Sequence, residues 1–339
     1  DHRDLHSFPT RRSSDLSTYG TYQAPTRFYA WLKVKAGIDN DKRTSEGMIG
    51  GGGRRAKLGS RTFVPAYGGV GKLTTTVELE SKGLGRLLDF ALGSSTVTAI
   101  TGGSQMVFHD GISGSFLPSA SIQVGQVQND GTMYVLTYTG ATASKVTIEQ
   151  AVQKIPTMTV EWVCKAPVNN IAAVVPSYPS GSRLFDFGLA SASLGTALTP
   201  PTTTALGTGL TAFSDVKSWK LVLDQGLDAE RYVLGGRNRP LAQGPEVTFE
   251  AEVEWNAATL ANYVLNGNAF AFETTWSTTE TLGAGVTQLQ LSIPQMSLTG
   301  DLPEVETGKT RVQSIKADIT NNGVDQDLYL AYRSTDVAL

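Results

Sequence analysis

The sequence predicts a mainly β chain organised as two tandem β-rich domains, each with one short α-helix at its flank. Three observations predict it. A strict alternation of apolar and polar residues occurs twice, at 73–80 and 247–255, and each time a helical stripe ending on a glycine follows at once. Gly accounts for 36 of 339 residues and charged residues for only 17%, with Ser and Thr punctuating nearly every segment, the composition of a turn-rich β protein. Residues 166–210 hold five of the 14 prolines and carry only Arg183 and Asp186 as charges, so they separate the two patterned regions. The resulting boundaries are 17–165 for the first domain, 166–210 for a Pro/Thr-rich linker or excursion, and 211–339 for the second.

Residues 1–16, DHRDLHSFPTRRSSDL, are expected to be artefactual or disordered and dispensable for folding. The run from His6 to Leu16 resembles the conceptual translation of a sequencing-library adapter joined to the end of an assembled contig, and such a scar is set aside from fold reasoning. Asp4, His6, Arg11, Arg12 and Asp15 interrupt any apolar run of the kind a signal peptide needs. Arg3, Arg11 and Arg12 are balanced by Asp1, Asp4 and Asp15, so the segment is no basic nucleic-acid arm either.

In the first domain a strand around 39–43 leads into a glycine-arginine loop, Gly50-Gly51-Gly52-Gly53-Arg54-Arg55, within a span from Thr44 to Gly71 that also holds Arg61. Leu73, Thr75, Val77 and Leu79 then share one face of a strand, with Thr74, Thr76, Glu78 and Glu80 on the other. Leu84, Leu87, Leu88 and Ala91 recur at helical spacing and Gly93 is placed to cap the C-terminus. Strands at 145–149 and 157–162 close the half. The second domain repeats the plan: Asp224 to Asp228, the loop Gly235-Gly236-Arg237-Asn238-Arg239, then Val247, Phe249, Ala251, Val253 and Trp255 on one face with Thr248, Glu250, Glu252 and Glu254 on the other. A helix with Leu260, Tyr263 and Val264 ends at Gly267, and strands at 288–293 and 312–317 follow. Glu80 to Gly93 and Glu254 to Gly267 span the same interval, which points to internal duplication.

The chemistry-bearing motifs fail on inspection. Gly68 to Thr74 looks like a phosphate loop, but Leu73 follows the lysine where Ser or Thr is needed, and a strand pattern follows where a helix should open. Gly83-Leu84-Gly85 lacks the third glycine of a dinucleotide fingerprint. Outside the first 16 residues His109 is the only histidine and Cys164 the only cysteine, which leaves no metal-ligand set and no Ser-His pair. No catalytic, cofactor or metal site is therefore expected. A formal net charge of −3 argues against general nucleic-acid adhesion, which needs a basic footprint. The longest uncharged stretch, Phe187 to Ser214, is broken by Pro200-Pro201 and rich in Thr, so no membrane helix is expected. One alternative is a β-sandwich module that binds carbohydrate or a host receptor, with Trp219, Trp255 and Trp276 as sugar platforms, although Trp255 lies on an apolar strand face.

Both halves resemble the tail tube proteins (major tail proteins) of long-tailed bacteriophages. The resemblance is carried by the strand and helix from Thr76 to Ser94, by Val222-Leu223-Asp224-Gln225-Gly226-Leu227-Asp228 with the run on to Gly235, and by Ile293-Pro294-Gln295-Met296-Ser297-Leu298-Thr299-Gly300-Asp301. It implies tail-tube-type β-sandwich or barrel domains, each with a flanking helix, that self-assemble into stacked rings around a channel for DNA ejection. The chain departs from the simplest members, which carry one such domain. With two, a trimeric ring of pseudo-sixfold symmetry is favoured over a hexamer. Glu78, Glu80, Glu250, Glu252 and Glu254 are the candidate lumen-facing residues, because carboxylates repel a passing duplex. Gly50 to Gly53 with Arg54, Arg55 and Arg61 form the candidate inter-ring loop. Other expected partners are tape-measure and tail-end proteins. DNA passes without tight binding, and the tail assembles in the host bacterial cytoplasm.

Overall fold

The computed structural model describes residues 19–39, 43–44, 62–63, 70–110, 116–234, 236–254, 263, 265–283, 285–299 and 312–336. The fold is mainly β, as expected. Its principal strands are β1 (Trp31–Asp39), β2 (Val70–Glu78), β3 (Gly93–Ile100), β4 (Gly103–Asp110), β5 (Ala120–Val127), β6 (Met133–Gln150), β7 (Thr157–Lys165), β8 (Ala190–Gly195), β9 (Thr211–Ala212), β10 (Val216–Asp224), β11 (Glu246–Glu254), β12 (Phe270–Leu282), β13 (Gly285–Thr299), β14 (Val312–Ile319) and β15 (Tyr329–Ser334). Helix α1 spans Gly85–Leu92.

The predicted alternation is the observed one. Along β2, Leu73, Thr75 and Val77 are buried while Lys72, Thr74, Thr76 and Glu78 point away from the core. Along β11, Phe249, Ala251 and Val253 are buried and Glu250 and Glu252 are exposed. Helix α1 buries Leu87, Leu88 and Ala91 together with Phe90, and Gly93 terminates it at φ 88°, a left-handed conformation that glycine adopts without strain. Of the second helix, Tyr263, Leu265 and Asn266 are described as helical and Gly267 follows at φ 61°; Leu260 and Val264 lie outside the described residues.

Strand order gives the duplication a topological form. The first half runs β1-β2-β7-β6 and the second runs β10-β11-β14-β13, in each case two opening strands followed by a later consecutive pair taken in reverse; the second half adds β15 after β14. Both first strands carry a register shift near the start, between Trp31 and Lys33 in β1 and between Val216 and Ser218 in β10. The halves meet edge to edge: β6 pairs with β10 from Lys145↔Asp224 to Gln150↔Trp219, so eight strands form one continuous sheet. A second connection is made by β15, which lies between β13 and β4. The buried apolar cluster runs through both halves, from Leu73, Leu88 and Trp162 to Trp219, Phe249 and Leu291.

The Pro- and Thr-rich segment 166–210 packs onto this framework. Phe185 is fully buried, and β8 pairs with β12. Beyond β8, Gln105 Nε2 donates to the carbonyls of Thr202 (2.7 Å) and Ala205 (2.9 Å), Arg333 donates to the carbonyl of Thr204 (2.9 Å), and the Gly207 amide donates to Gln290 Oε1 (2.6 Å). Such side-chain clamps hold a segment whose own sequence, Ala190-Ser191-Ala192-Ser193, lacks a strong apolar period.

Glu273 of β12 lies under this segment, accepting a hydrogen bond from the Ser292 hydroxyl. Burial pushes its carboxyl up to about 7, against the lowering effect of that hydroxyl. A carboxyl raised in the folded state supports the fold fully below its unfolded value of about 4.3, and the contribution is lost as pH rises through about 7. Glu273→Gln is therefore expected to stabilise the protein at pH 8 by about 1–3 kcal/mol and to change little at pH 4. Thermal melts at the two pH values check this; equal shifts at both would disprove the burial argument.

Candidate functional site

The continuous sheet has one face on the core and one open. On the open face the cross-strand registers line residues up in rows. Lys33, Thr76, Thr159, Thr147, Val222, Thr248, Asp318 and Ser297 form one row across all eight strands. Glu78, Thr157, Glu149, Lys220, Glu250, Lys316 and Thr299 form another. Ser218, Glu252 and Ser314 continue beside them. Threonine and charge dominate because these residues are the members of each strand's alternation that lie opposite the buried ones.

Charge on this face is segregated by half. Among the described positions of the first half, Lys33, Lys35, Lys72, Lys145 and Lys165 stand with Glu78, Glu149 and Glu161. In the second half Lys217, Lys220 and Lys316 stand with Asp224, Glu246, Glu250, Glu252, Glu254 and Asp318. Among the described residues carboxylates slightly outnumber lysines on this face. Lys145–Asp224 (3.9 Å) crosses the junction of the halves, and Lys316–Glu250 (3.8 Å) and Lys217–Glu254 (2.9 Å) lie within the second. Such exposed pairs contribute about 0–1 kcal/mol each, so this face costs little to alter.

Of the five glutamates singled out from sequence, the structure brings Glu78, Glu250, Glu252 and Glu254 onto this one surface. Glu80 is set apart. It lies past the end of β2, bridged to Leu184, and burial raises its carboxyl above the ordinary range; a hydrogen bond from Ser182 opposes that, while Asp336 and Glu78 add to it. Gly50 to Gly53, Arg54, Arg55 and Arg61 lie outside the described residues, as do residues 1–16 and Trp255. The lysines of β1 and the β6–β7 residues Lys145, Glu149 and Glu161 belong to the same surface. Sequence reading missed them, although the Lys33/Lys35 alternation in Trp31-Leu32-Lys33-Val34-Lys35 was a visible signal.

The sugar-platform assignment of two tryptophans is corrected. Trp219 is 4% exposed and Trp276 is fully buried, because both occupy core-facing positions of their strands, where Trp219 packs on Phe249, Phe272 and Trp276. His109 is part-buried near the end of β4, with Nε2 3.1 Å from the Ser94 hydroxyl. Among the described residues no group of three or more His, Cys, Asp or Glu is placed to hold a metal ion, and no helix is long and apolar enough to cross a membrane.

A family model described as phage tail tube protein matches residues 15–328. The chain belongs to the phage tail tube protein family. No curated protein matches it. As a tail tube protein it is a structural component of the virion tail, and the family is not one of known enzymes. The open polar face is then the surface of a building block, running from β1 to the Ser297–Thr299 end of β13, whose earlier residues pair with β12.

Proposed function

We propose that this tail tube protein polymerises into stacked rings whose bore carries DNA into the host cell during ejection, and that the open face of the eight-strand sheet lines that bore. The observation that carries the proposal is the repeated four-strand order, joined edge to edge into one sheet with a buried face and a polar face. Each chain thus supplies two equivalent wall segments, and three chains supply six.

Dimensions favour three chains over six. Strands are about 4.8 Å apart and tilt by about 35–45° in a closed barrel, so twenty-four of them enclose a cylinder about 45–52 Å across between backbones. Side chains narrow this to about 30 Å, room for one hydrated double helix. Six chains contributing all eight strands would double the diameter and leave the duplex loose in the tube. A hexamer needs one half to leave the wall, yet both halves share a sheet.

In this arrangement Glu78, Glu250, Glu252 and Glu254 face the channel and Glu80 sits partly covered at its margin. A wall on which carboxylates outnumber lysines does not release counterions from phosphate and so does not grip DNA. The loop with Gly50 to Gly53, Arg54, Arg55 and Arg61 is proposed to contact the next ring, and tape-measure and tail-end proteins to engage the tube, which assembles in the host bacterial cytoplasm. Native mass spectrometry of detergent-free rings, with rotational averaging of end-on electron micrographs, tests the proposal: three chains and six density lobes are expected. Six chains per ring would overturn the trimer, and failure to form rings at any concentration would overturn the tube.

A further inference from the structure

Residues 196–210 leave β8 and return to β9, and between the two they run as a strap over four adjacent strands, β4, β15, β13 and β12. The strap closes on itself through paired amide–carbonyl bonds between Thr199 and Thr208, at 2.8 and 3.0 Å. It carries no charge and buries only Pro201 and Gly207, while Thr202 to Ala205 stay exposed. Its seat is polar. Gln290 accepts the Gly207 amide on Oε1 and donates Nε2 to the Gly207 carbonyl (3.2 Å), beside the contacts that Gln105 and Arg333 make to Thr202, Ala205 and Thr204. A segment held by a few side-chain hydrogen bonds and little apolar area opens at lower cost than the sheet beneath it.

One carboxyl lies under that seat. A methyl group on Gly207 would come within 2.7 Å of Glu273 Oε2 and 3.0 Å of Ser292 Oγ, so the strap backbone rests directly on the carboxyl. Ser292, fully buried, donates its hydroxyl to Glu273 at 3.4 Å. Among the described residues no cation is placed to balance Glu273. The strap, β8 and β13 carry no charged residue. Arg333 of β15 stands four positions along and two strands away, engaged by Gln105 and Thr204. In the row of Glu273 itself, Tyr329 and His109 follow beyond Ser292, which puts His109 about 14 Å off, past a Debye length of about 10 Å. Glu280, the other acid of β12, is paired with Lys82 at 2.8 Å.

We propose that residues 196–210 form a pH-operated strap, closed over a protonated Glu273 and lifted when that carboxyl ionises. A charge formed beneath the strap has neither water nor a counter-ion, and lifting the strap supplies the water. Under the strap the carboxyl is raised to about 7, against about 4.3 in water. Closure is therefore fully favoured below about 4.3 and loses that contribution as pH rises through about 7. Lifting bares Gln105, Gln290 and Ser292, each at most 3% exposed with the strap down. The pairings of β12 with β8 and β13 do not involve the strap, so the change is local and does not depend on ring formation.

Amide exchange at Thr199, Gly207 and Thr208 in the full chain, corrected for the intrinsic pH dependence of exchange, tests the strap. Protection of these three amides is expected to fall about 50–100-fold between pH 5 and pH 8, the ratio that a carboxyl moving from about 4.3 to about 7 imposes on the opening equilibrium. The Thr137 and Val168 amides, which form an isolated bridge of the same kind in the first half, are expected to keep theirs. In Glu273→Gln protein the strap is expected to hold its pH 5 protection throughout. Gly207→Ala, whose added methyl meets the carboxyl, is expected to lose protection at pH 5 as well. Unchanged protection of the wild-type strap between the two pH values would overturn the proposal without any variant. An equal fall in Glu273→Gln protein or at Thr137 and Val168 would overturn it too, as would full protection of Gly207→Ala at pH 5.

Discussion

Trp276→Ala is expected to destabilise the protein by about 3–5 kcal/mol, the largest single-residue effect among the substitutions considered. Trp276 is completely buried on β12, its ring 5.4 Å from that of Trp219. Its Nε1 donates to Gln150 Oε1 at 2.9 Å, across the boundary between second-half and first-half residues. Truncation removes the apolar contacts and leaves a cavity the sheet cannot collapse to fill. Trp276→Phe separates the two contributions. It retains an aromatic ring but orphans the Gln150 oxygen, for a cost of about 1–3 kcal/mol. Urea unfolding followed by fluorescence and circular dichroism measures both, and a loss below about 1 kcal/mol for the alanine variant would show that the core tolerates the gap.

The same tryptophan marks where sequence reading reached its limit. Alternation at Leu73 to Leu79 and Val247 to Val253 identified β2 and β11 and the correct buried face of each, because a period of two admits one assignment when one face is apolar. The Leu84, Leu87, Leu88 and Ala91 stripe with Gly93 located α1 for a similar reason, local spacing plus a residue suited to left-handed backbone. Pairing partners are not local. Val146 and Ile148 alternate just as Leu221 and Leu223 do, and nothing in either stretch states that these two strands are neighbours. Trp219 and Trp276 looked available as binding platforms only because their strands' core faces were unknown. In β8, Ser191 and Ser193 gave no apolar signal, since the strand is held by β12 and by polar clamps on the segment after it. Glu80 followed the alternation of β2 on paper, but the strand ends at Glu78 and the next residues are bonded to Arg183 and Leu184.

The largest functional effect is expected from reversing charge on the wall. Glu250→Lys/Glu252→Lys/Glu254→Lys turns the described second-half face from three lysines among six carboxylates into six among three. Folding should survive, because these side chains are exposed or half-exposed and only the Lys316 and Lys217 pairs are lost, at about 0–1 kcal/mol each. Tubes should therefore form with normal appearance, which electron microscopy checks first. Passage of DNA should change. Every lysine that reaches a phosphate adds about 0.9 to the slope of log affinity against log salt, so three contacts strengthen attachment about 40-fold more at 50 mM than at 200 mM salt. Ejection from particles carrying the variant is then slow at low salt and recovers as salt is raised, whereas wild-type ejection lacks this added salt dependence. If variant particles eject at the wild-type rate at every salt concentration, these glutamates face outward and the wall is the opposite side of the chain. Slowing that salt does not relieve would instead indicate a narrowed or distorted bore, and images of the same tubes would distinguish that from adhesion.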